Sequence, residues 1–450
     1  MAETVDVVVI GMGPGGEYIA GRLAAAGLSV LGIDARLVGG ECPYYGCVPS
    51  KMIIRAADAL AEARRVPEFA GTSTVEPHYE VVADRISQEA TDNWDDAVAV
   101  KRFTDKGGRF VRGRATITGP HRVAVNGEEF TATRGIVLNT GTDPAVPPIP
   151  GLSDTPYWTN RDILRTRSAP ESLAVLGGGA IGAELAQAFA RFGSAVTVIE
   201  AASRILPLEE PEAGALLAEV FGAEGITVRT GVAAHAVSHD SGGFAIQAGD
   251  ETIRAERLLV ATGRRNNLAD LGLEHVGLDP KARFLEPDER MRIARGVWAI
   301  GDITGKGAFT HMSMYQAGIA YRDIRGEDGP VAEYHAVPRV TFTNPEIGAV
   351  GLTEEQARAR GIAVRTGIAP LSNSTRGWIH RGQGFIKLVE DGARNMLVGA
   401  TAAGPNGGEI LSALAVAVHA RVPVSRLTTM IYAYPTFHRA IESALADLST

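Results

Sequence analysis

The chain holds two cysteines in 450 residues, and both fall within Gly39-Gly40-Glu41-Cys42-Pro43-Tyr44-Tyr45-Gly46-Cys47-Val48-Pro49-Ser50-Lys51. Random placement would bring two cysteines this close roughly two times in a hundred, so the pairing asks for a chemical reason. A structural zinc wants four ligands, and no further Cys or His lies nearby in the sequence, so metal binding alone does not account for them. A disulfide is the better reading. On an ideal helix, residues five apart have Cα atoms about 8.7 Å apart, beyond the roughly 7 Å a disulfide tolerates. Bridging Cys42 to Cys47 requires a distorted first turn, which Pro43 and Gly46 favour. A strained bridge is readily reduced, which suits a catalytic pair better than a structural staple. The bland alternative is two unconnected cysteines near a helix start.

The flanking sequence supplies a scaffold. Val5-Asp6-Val7-Val8-Val9-Ile10 reads as a buried strand and Gly11-Met12-Gly13-Pro14-Gly15-Gly16 follows it. An apolar helical pattern then runs through Ala26, and a second strand from Ser29 to Ile33 ends at Asp34. This is G-x-G-x-x-G between strand and helix, with an acid 23 residues after Gly11 (34 − 11). In such a unit Gly11, Gly13 and Gly16 let the backbone approach a pyrophosphate, the helix N-terminus stabilises its charge, and Asp34 takes ribose hydroxyls. The motif alone is a weak signal, and the complete strand–turn–helix–strand context makes it strong. The unit recurs. Leu173 to Leu176 is a strand, Gly177-Gly178-Gly179-Ala180-Ile181-Gly182 puts Gly177, Gly179 and Gly182 in register, and Ala195 to Ile199 leads to Glu200, again 23 residues on (200 − 177). Two dinucleotide sites in one chain predict two cofactors that pass electrons between them.

Leu138-Asn139-Thr140-Gly141 and Val260-Ala261-Thr262-Gly263 each close an apolar strand with a small-residue turn. Each marks a place where the chain leaves a nucleotide domain, although either taken singly reads equally well as an ordinary strand-end glycine. Val297 to Ile300 is another apolar strand, ending in Gly301-Asp302, where an acid can reach a sugar or polyol hydroxyl. From about Ala336 the texture changes. Short strands are expected at 340–342, 347–350, 385–389 and 396–398, followed by helices over 409–421 and 424–433, which makes a separate α+β domain. The charged stretches 62–65 and 357–360 read as solvated helix faces. The formal net charge is −8 with no long basic run, which argues against nucleic acid or an anionic membrane as partner. No apolar run is long enough to span a bilayer, and no basic leader precedes Val5, so a cytoplasmic protein is expected.

With both fingerprints and the cysteine stretch in hand, the chain resembles the class I pyridine nucleotide-disulfide oxidoreductases, the family of dihydrolipoamide dehydrogenase, glutathione reductase and mercuric reductase. Gly-Gly-x-Cys-x-x-x-x-Cys-Val-Pro-Ser-Lys is highly specific, and the order of motifs holds over nearly the whole length. The resemblance implies an α/β fold with two Rossmann-like dinucleotide-binding domains plus a C-terminal α+β dimerisation domain. It implies FAD binding by 1–146 and 267–334, NAD(P)H binding by 147–266, and a homodimer through 335–450. It implies further that Cys47 lies beneath the flavin as the charge-transfer thiolate, that Cys42 is the interchange thiol, and that Lys51, paired with Glu184, lies near flavin N5. Asp302 would bind the ribityl chain, and Gly40, Gly113, Thr140, Gly141 and Gly263 would complete the cofactor contacts. Glu200 would accept from the ribose 2′-hydroxyl of NADH and repel the 2′-phosphate of NADPH, while Ala201 and Ala202 offer no cation and Arg204 stands close by. NADH is therefore the expected reductant, and NADPH the weaker one.

The pattern breaks near the C-terminus. The family's thiol-handling enzymes carry His-Pro-Thr there, with a Glu five residues after the His. This chain reads Tyr432-Ala433-Tyr434-Pro435-Thr436-Phe437-His438-Arg439, so Tyr434 replaces the His and Arg439 the Glu. A phenol with a pKa of about 10 can donate a proton but is a poor base at neutral pH. His438 is either a displaced base or a helix-face histidine. Mercuric reductases also have the tyrosine, but they end in a vicinal cysteine pair, and this chain ends Ala446-Asp447-Leu448-Ser449-Thr450. Glu41 puts a negative charge beside Cys42 and is expected to raise its thiol pKa. The first reading is an FAD enzyme passing electrons from NAD(P)H through Cys47 and Cys42 to a small disulfide or related acceptor. The second is a reductase of quinones or other diffusible acceptors that works at the flavin without the cysteines. The third is a non-catalytic flavoprotein that binds NAD(H) as a sensor or subunit.

Overall fold

Strand β1 (Glu3–Ile10) buries its last four residues completely, as expected for a parallel strand covered on both faces. The structure, a computed structural model, describes residues 3–448, so Ser449 and Thr450 lie outside the described residues. The chain divides into two units, Met1–Ser50 with Ala83–Ala145 and Arg264–Glu333, and Lys51–Val82 with Val146–Gly263 and Tyr334–Thr450.

In the first unit β1 lies between two parallel neighbours, β2 (Val30–Asp34) and the strand Glu128–Leu138. Strand β3 (Arg109–Arg112) extends one side, and Val297–Ala299 extends the other. The chain leaves β1 toward β2 and returns on the opposite side, so the carboxyl ends of β1 and Glu128–Leu138 flank a topological switch point. That is where open parallel sheets bind ligands. Helix α1 (Pro14–Ala25) crosses the helix Thr310–Arg325 so closely that a Cβ on Gly15 would lie 2.1 Å from Ser313 Oγ.

The second unit holds a four-stranded parallel sheet in the order Thr227–Thr230, Ala195–Glu200, Ser172–Leu176, Arg257–Val260. It also holds a five-stranded antiparallel sheet, Pro338–Thr341, Glu346–Gly351, Met396–Gly404, Phe385–Asp391 and Val364–Pro370. The helices Gly407–His419 and Ala440–Asp447 cover that sheet and share its apolar core through Leu411, Leu414, Ala444 and Leu445.

The helix expected over 424–433 stops at Leu427. Hydroxyl groups take the carbonyls that would continue it. Thr428 Oγ1 donates to Ser425 O, Thr429 Oγ1 lies 3.2 Å from Arg426 O, and Tyr432 OH donates to Leu427 O at 3.1 Å. Such competition is why threonines end helices more often than they extend them. The helix Ala440–Asp447 has no counterpart among the expected elements, although Ala440, Ile441, Ala444, Leu445 and Leu448 lie on one face at helical spacing and are buried.

Lys387 is a charged group buried in the second unit. Its Nζ lies 2.9 Å from Glu210, 2.7 Å from Glu212 and 3.0 Å from Glu354. Burial pushes the ammonium toward neutrality, but the three carboxylate bonds outweigh it and raise the pKa above the ordinary lysine value. For Glu354, burial pushes upward while Lys387 and Arg358 more than offset it, so its pKa is lowered. Its contribution is therefore present above the ordinary carboxylate range and fades as pH falls through it. Lys387→Met, which strands Glu210 in the interior, is expected to cost about 3–5 kcal/mol in denaturant unfolding at neutral pH. Adding Glu210→Gln should recover part of that loss.

Candidate active site

The cysteine stretch does not form one helix. Helix α2 (Glu41–Tyr45) stops at Gly46, whose φ and ψ are −142° and −115°, and helix α3 (Cys47–Arg65) begins at the next residue. Pro49 gives the reason. It has no N–H for Tyr45 O, and its ring would collide with that carbonyl in a continuous helix. The distorted turn expected from Pro43 and Gly46 is therefore present, with Pro49 as a further cause. Cys42 is half-buried and Cys47 exposed. Cys47 Sγ lies 3.5 Å from Thr310 Oγ1, at the first residue of the helix Thr310–Arg325. Unfilled N–H groups at a helix start favour negative charge, which suits a thiolate.

Glu41 is not an isolated charge beside Cys42. Its Oε2 lies 3.1 Å from Nη2 of Arg264, a counter-charge that reduces its repulsion of a neighbouring thiolate. Arg264 Nη2 also donates to Thr142 O at 2.8 Å and its Nε to Thr142 Oγ1 at 3.0 Å, while Thr142 Oγ1 donates to Asp302 Oδ2 at 2.7 Å. Burial raises the Asp302 pKa, and the Thr142 bond works against that. Arg264 directly follows Gly263 in the sequence, and that adjacency was the available signal for it.

At the switch point Gly11 has φ +93°, and a Cβ there would lie 2.3 Å from Asn139 O. A Cβ on Gly16 would lie 1.9 Å from Gly11 O. Gly13 caps α1 without a side-chain bond, so the first N–H groups of the helix stay available to an anion. Asp34 accepts from Met12 N and Arg36 N, each at 2.7 Å, and burial raises its pKa. Asn139, absent from the expected site, donates to Gly11 O and accepts from Ser313 Oγ, both at 3.1 Å. Gly40 packs on Gly13, Gly113 N donates to Asp34 O at 2.9 Å, and space is open beside Gly141. Thr140 Oγ1 is buried with no hydrogen-bond partner. An orphaned hydroxyl, an open glycine, two half-buried acids and a bare helix start make a lining that fits FAD.

The second fingerprint repeats these constraints. Gly177 has φ +103°, and its Cβ would lie 2.4 Å from Ala261 O, while a Cβ on Gly182 would lie 1.9 Å from Gly177 O. Glu200 accepts from Gly178 N at 2.6 Å and from Ala202 N at 2.7 Å, as Asp34 does in its own turn. Space is open beside Gly179 and Gly263. In the same unit Lys51 Nζ donates to Glu184 Oε2 at 2.7 Å and lies 4.6 Å from the centre of the Phe342 ring. Glu184 Oε1 accepts from Phe342 N at 2.8 Å. The carboxylate is thus held at both oxygens and fixes the lysine.

Tyr434 is about two-thirds exposed (66%), and its OH donates to Thr375 Oγ1 at 3.0 Å. The Arg439 guanidinium lies 5.6 Å from the Tyr434 ring and pairs with Glu442 at 2.8 Å. His438 is half-buried, with Nε2 3.4 Å from Thr436 Oγ1. Its carbonyl accepts the N–H of Ile441, so it stands just ahead of the helix Ala440–Asp447 rather than on its face. Among the described residues no cluster of three side chains could hold a metal ion, and no helix is long and apolar enough to cross a membrane.

Residues 5–317 match the family model described as pyridine nucleotide-disulphide oxidoreductase, and residues 337–445 match the dimerisation domain of the same family. The chain is 35% identical to a dihydrolipoyl dehydrogenase of Thermus scotoductus, covering 99% of this chain and 98% of that protein. It is 33% identical to a mercuric reductase of Acidithiobacillus ferrooxidans, covering 98% and 82%. Among solved structures it resembles the HOCl-induced flavoprotein disulfide reductase RclA of Escherichia coli, with TM-score 0.85, 28% identity and 99% of each chain covered. With the interrupted cysteine helix and the two matching glycine turns, these likenesses establish that the chain belongs to the class I pyridine nucleotide-disulfide oxidoreductases, as an FAD-dependent enzyme with a cysteine redox centre.

Proposed function

We propose that the enzyme takes hydride from NADH and passes the two electrons through Cys42 and Cys47 to a small disulfide or a related acceptor. The observation that carries this reading is the helix break at Gly46, which lets two cysteines approach that a regular helix would hold apart. Gly11, Gly13, Asp34, Gly40, Thr140, Gly141 and Asp302 would hold FAD, which when bound supplies the two-electron carrier between nicotinamide and cysteines. Gly177, Gly179, Gly182, Glu200 and Gly263 would hold the nicotinamide nucleotide. The Cys42 sulfur attacks the acceptor's S–S bond and expels one thiolate. Cys47 then closes on Cys42 and expels the second, and each leaving thiolate takes a proton. Tyr434 offers a donor for that proton where the family carries an imidazole. The dimerisation-domain match and the exposure of Val416, Ile431 and Tyr434 support a homodimer. A reducing, cytoplasmic setting suits a cysteine pair that must cycle.

The NADH preference rests on Glu200 and on the posture of Arg204. The Arg204 Nη2 is spent on Pro207 O and Glu209 O, at 3.1 and 3.3 Å, which draws the cation toward its own loop. We expect kcat/KM for NADH to exceed that for NADPH at least tenfold, and Glu200→Ala to erase most of the difference. A clear NADPH preference of the unaltered enzyme would refute this.

Lys51 depends on Glu184 for its position. Glu184→Ala is expected to slow reduction by NADH about tenfold to a hundredfold, the range seen when an ordering group behind an active side chain is lost. Stopped-flow reduction measures it. A rate within twofold of the parent would remove Glu184 from the site.

Anaerobic titration with NADH should produce a long-wavelength band before the flavin absorbance bleaches, and Cys42→Ser should abolish disulfide reduction. Bleaching without the band, together with quinone reduction that survives Cys42→Ser, would instead support a reductase that bypasses the cysteines.

A further inference from the structure

The break between α2 and α3 ends the regular pattern of carbonyl acceptors in α2. One of them, Tyr44 O, accepts from the indole Nε1 of Trp94 at 3.1 Å. In an uninterrupted helix that carbonyl would take the N–H of Val48. The indole therefore occupies the acceptor that one further helical turn across Gly46 would use. Trp94 reaches it from an unusual backbone. Asp92, Asn93 and Trp94 have φ of 47°, 54° and 59°, three successive left-handed residues, none of them glycine. Non-glycine residues enter that region rarely, and then usually singly. Local bonds hold the turn in place. Thr91 Oγ1 accepts from Trp94 N at 3.4 Å and donates to Ile86 O at 2.9 Å, and Ser87 Oγ donates to Asn93 Oδ1 at 2.6 Å. The next residues grip the same stretch, with Tyr44 OH 3.5 Å from Asp95 O and Val38 N donating to Asp96 Oδ2 at 2.6 Å. A strained backbone kept by this many bonds implies a constraint elsewhere that it serves.

We propose that Trp94 is a positioning residue for the cysteine pair. Its indole N–H, by occupying Tyr44 O, keeps the end of α2 from winding one turn further toward Val48 across the break that Pro49 imposes, so the sulfurs stay placed to close and the disulfide is stabilised relative to the dithiol. This rests on the reading of Cys42 and Cys47 as a redox pair. Reduction breaks their S–S bond and, with two electrons and two protons, forms two thiols. Without the indole bond the dithiol can relax toward the turn in which Tyr44 O takes Val48 N, a relaxation the closed disulfide resists. The dithiol then gains and the disulfide does not.

The test equilibrates the purified flavoprotein anaerobically in glutathione buffers of graded thiol-to-disulfide ratio, alkylates the remaining thiols and counts them by mass. Trp94→Phe is expected to move the equilibrium about tenfold toward the dithiol, roughly 30 mV for a two-electron couple. Trp94→His, whose ring N–H can still donate, should restore part of the shift. Should Trp94→Phe not fold, Thr91→Val carries the test, because it loosens the turn without touching the indole and should shift the pair in the same direction. A midpoint unchanged in the folded variant, with the parent enzyme cycling normally, would overturn the role of Trp94 alone. A parent enzyme whose cysteines stay thiols in every buffer would overturn the redox pair and this proposal together.

Discussion

A proline that cannot continue a helix shapes the centre of this enzyme. Pro49 brings no N–H to Tyr45 O, and its ring crowds the same oxygen, so one helix cannot run from Glu41 to Arg65. The chain yields at Gly46, whose φ of −142° and ψ of −115° lie outside both the helical and the extended regions and are open to a residue without a Cβ. Everything near the cysteines follows from that yield. α2 becomes a short helix whose end must be satisfied from outside, α3 starts at Cys47, and the Cys47 sulfur meets the start of the helix Thr310–Arg325. A sequence chosen only for helical stability would have neither the proline nor the glycine there.

The two nucleotide turns solve one problem twice with one solution. Each has a glycine at positive φ, a glycine that admits the preceding carbonyl, and a carboxylate that takes two backbone N–H groups of its own module. The carboxylates are therefore structural before they touch any ligand. The likeness extends to the packing behind the turn, where Gly11 faces Asn139 O and Gly177 faces Ala261 O. That matches the correspondence of Leu138-Asn139-Thr140-Gly141 with Val260-Ala261-Thr262-Gly263.

Much of this was legible in the sequence, because glycine spacing and apolar runs report backbone needs directly. The two Rossmann units, the antiparallel sheet beyond Ala336 and the distortion between Cys42 and Cys47 all come from such local requirements. What escaped depends on side chains meeting across long separations. Arg264 meets Glu41 through the pairing of Arg264–Asn266 with Thr142–Pro144, and Asn139 meets Ser313 through a helix crossing. Neither leaves a periodic trace. The helix over 424–433 failed for a local reason of another kind. Its apolar pattern was sound, but Thr428, Thr429 and Tyr432 offered the backbone hydroxyls instead of N–H groups.

The bonds that brace Asp34 and Glu200 are internal to the chain, and this bears on how nucleotides come and go. A turn held by its own carboxylate keeps its form between the departure of one molecule and the arrival of the next, so exchange proceeds on a rigid template with little loop reordering. Residence time is then set by the contacts a given nucleotide loses on leaving. A large molecule with many contacts stays as a fixture, and a smaller set of contacts on an identical template makes a carrier that leaves after each turnover. One architectural unit, used twice, can serve as both a permanent seat and a revolving door.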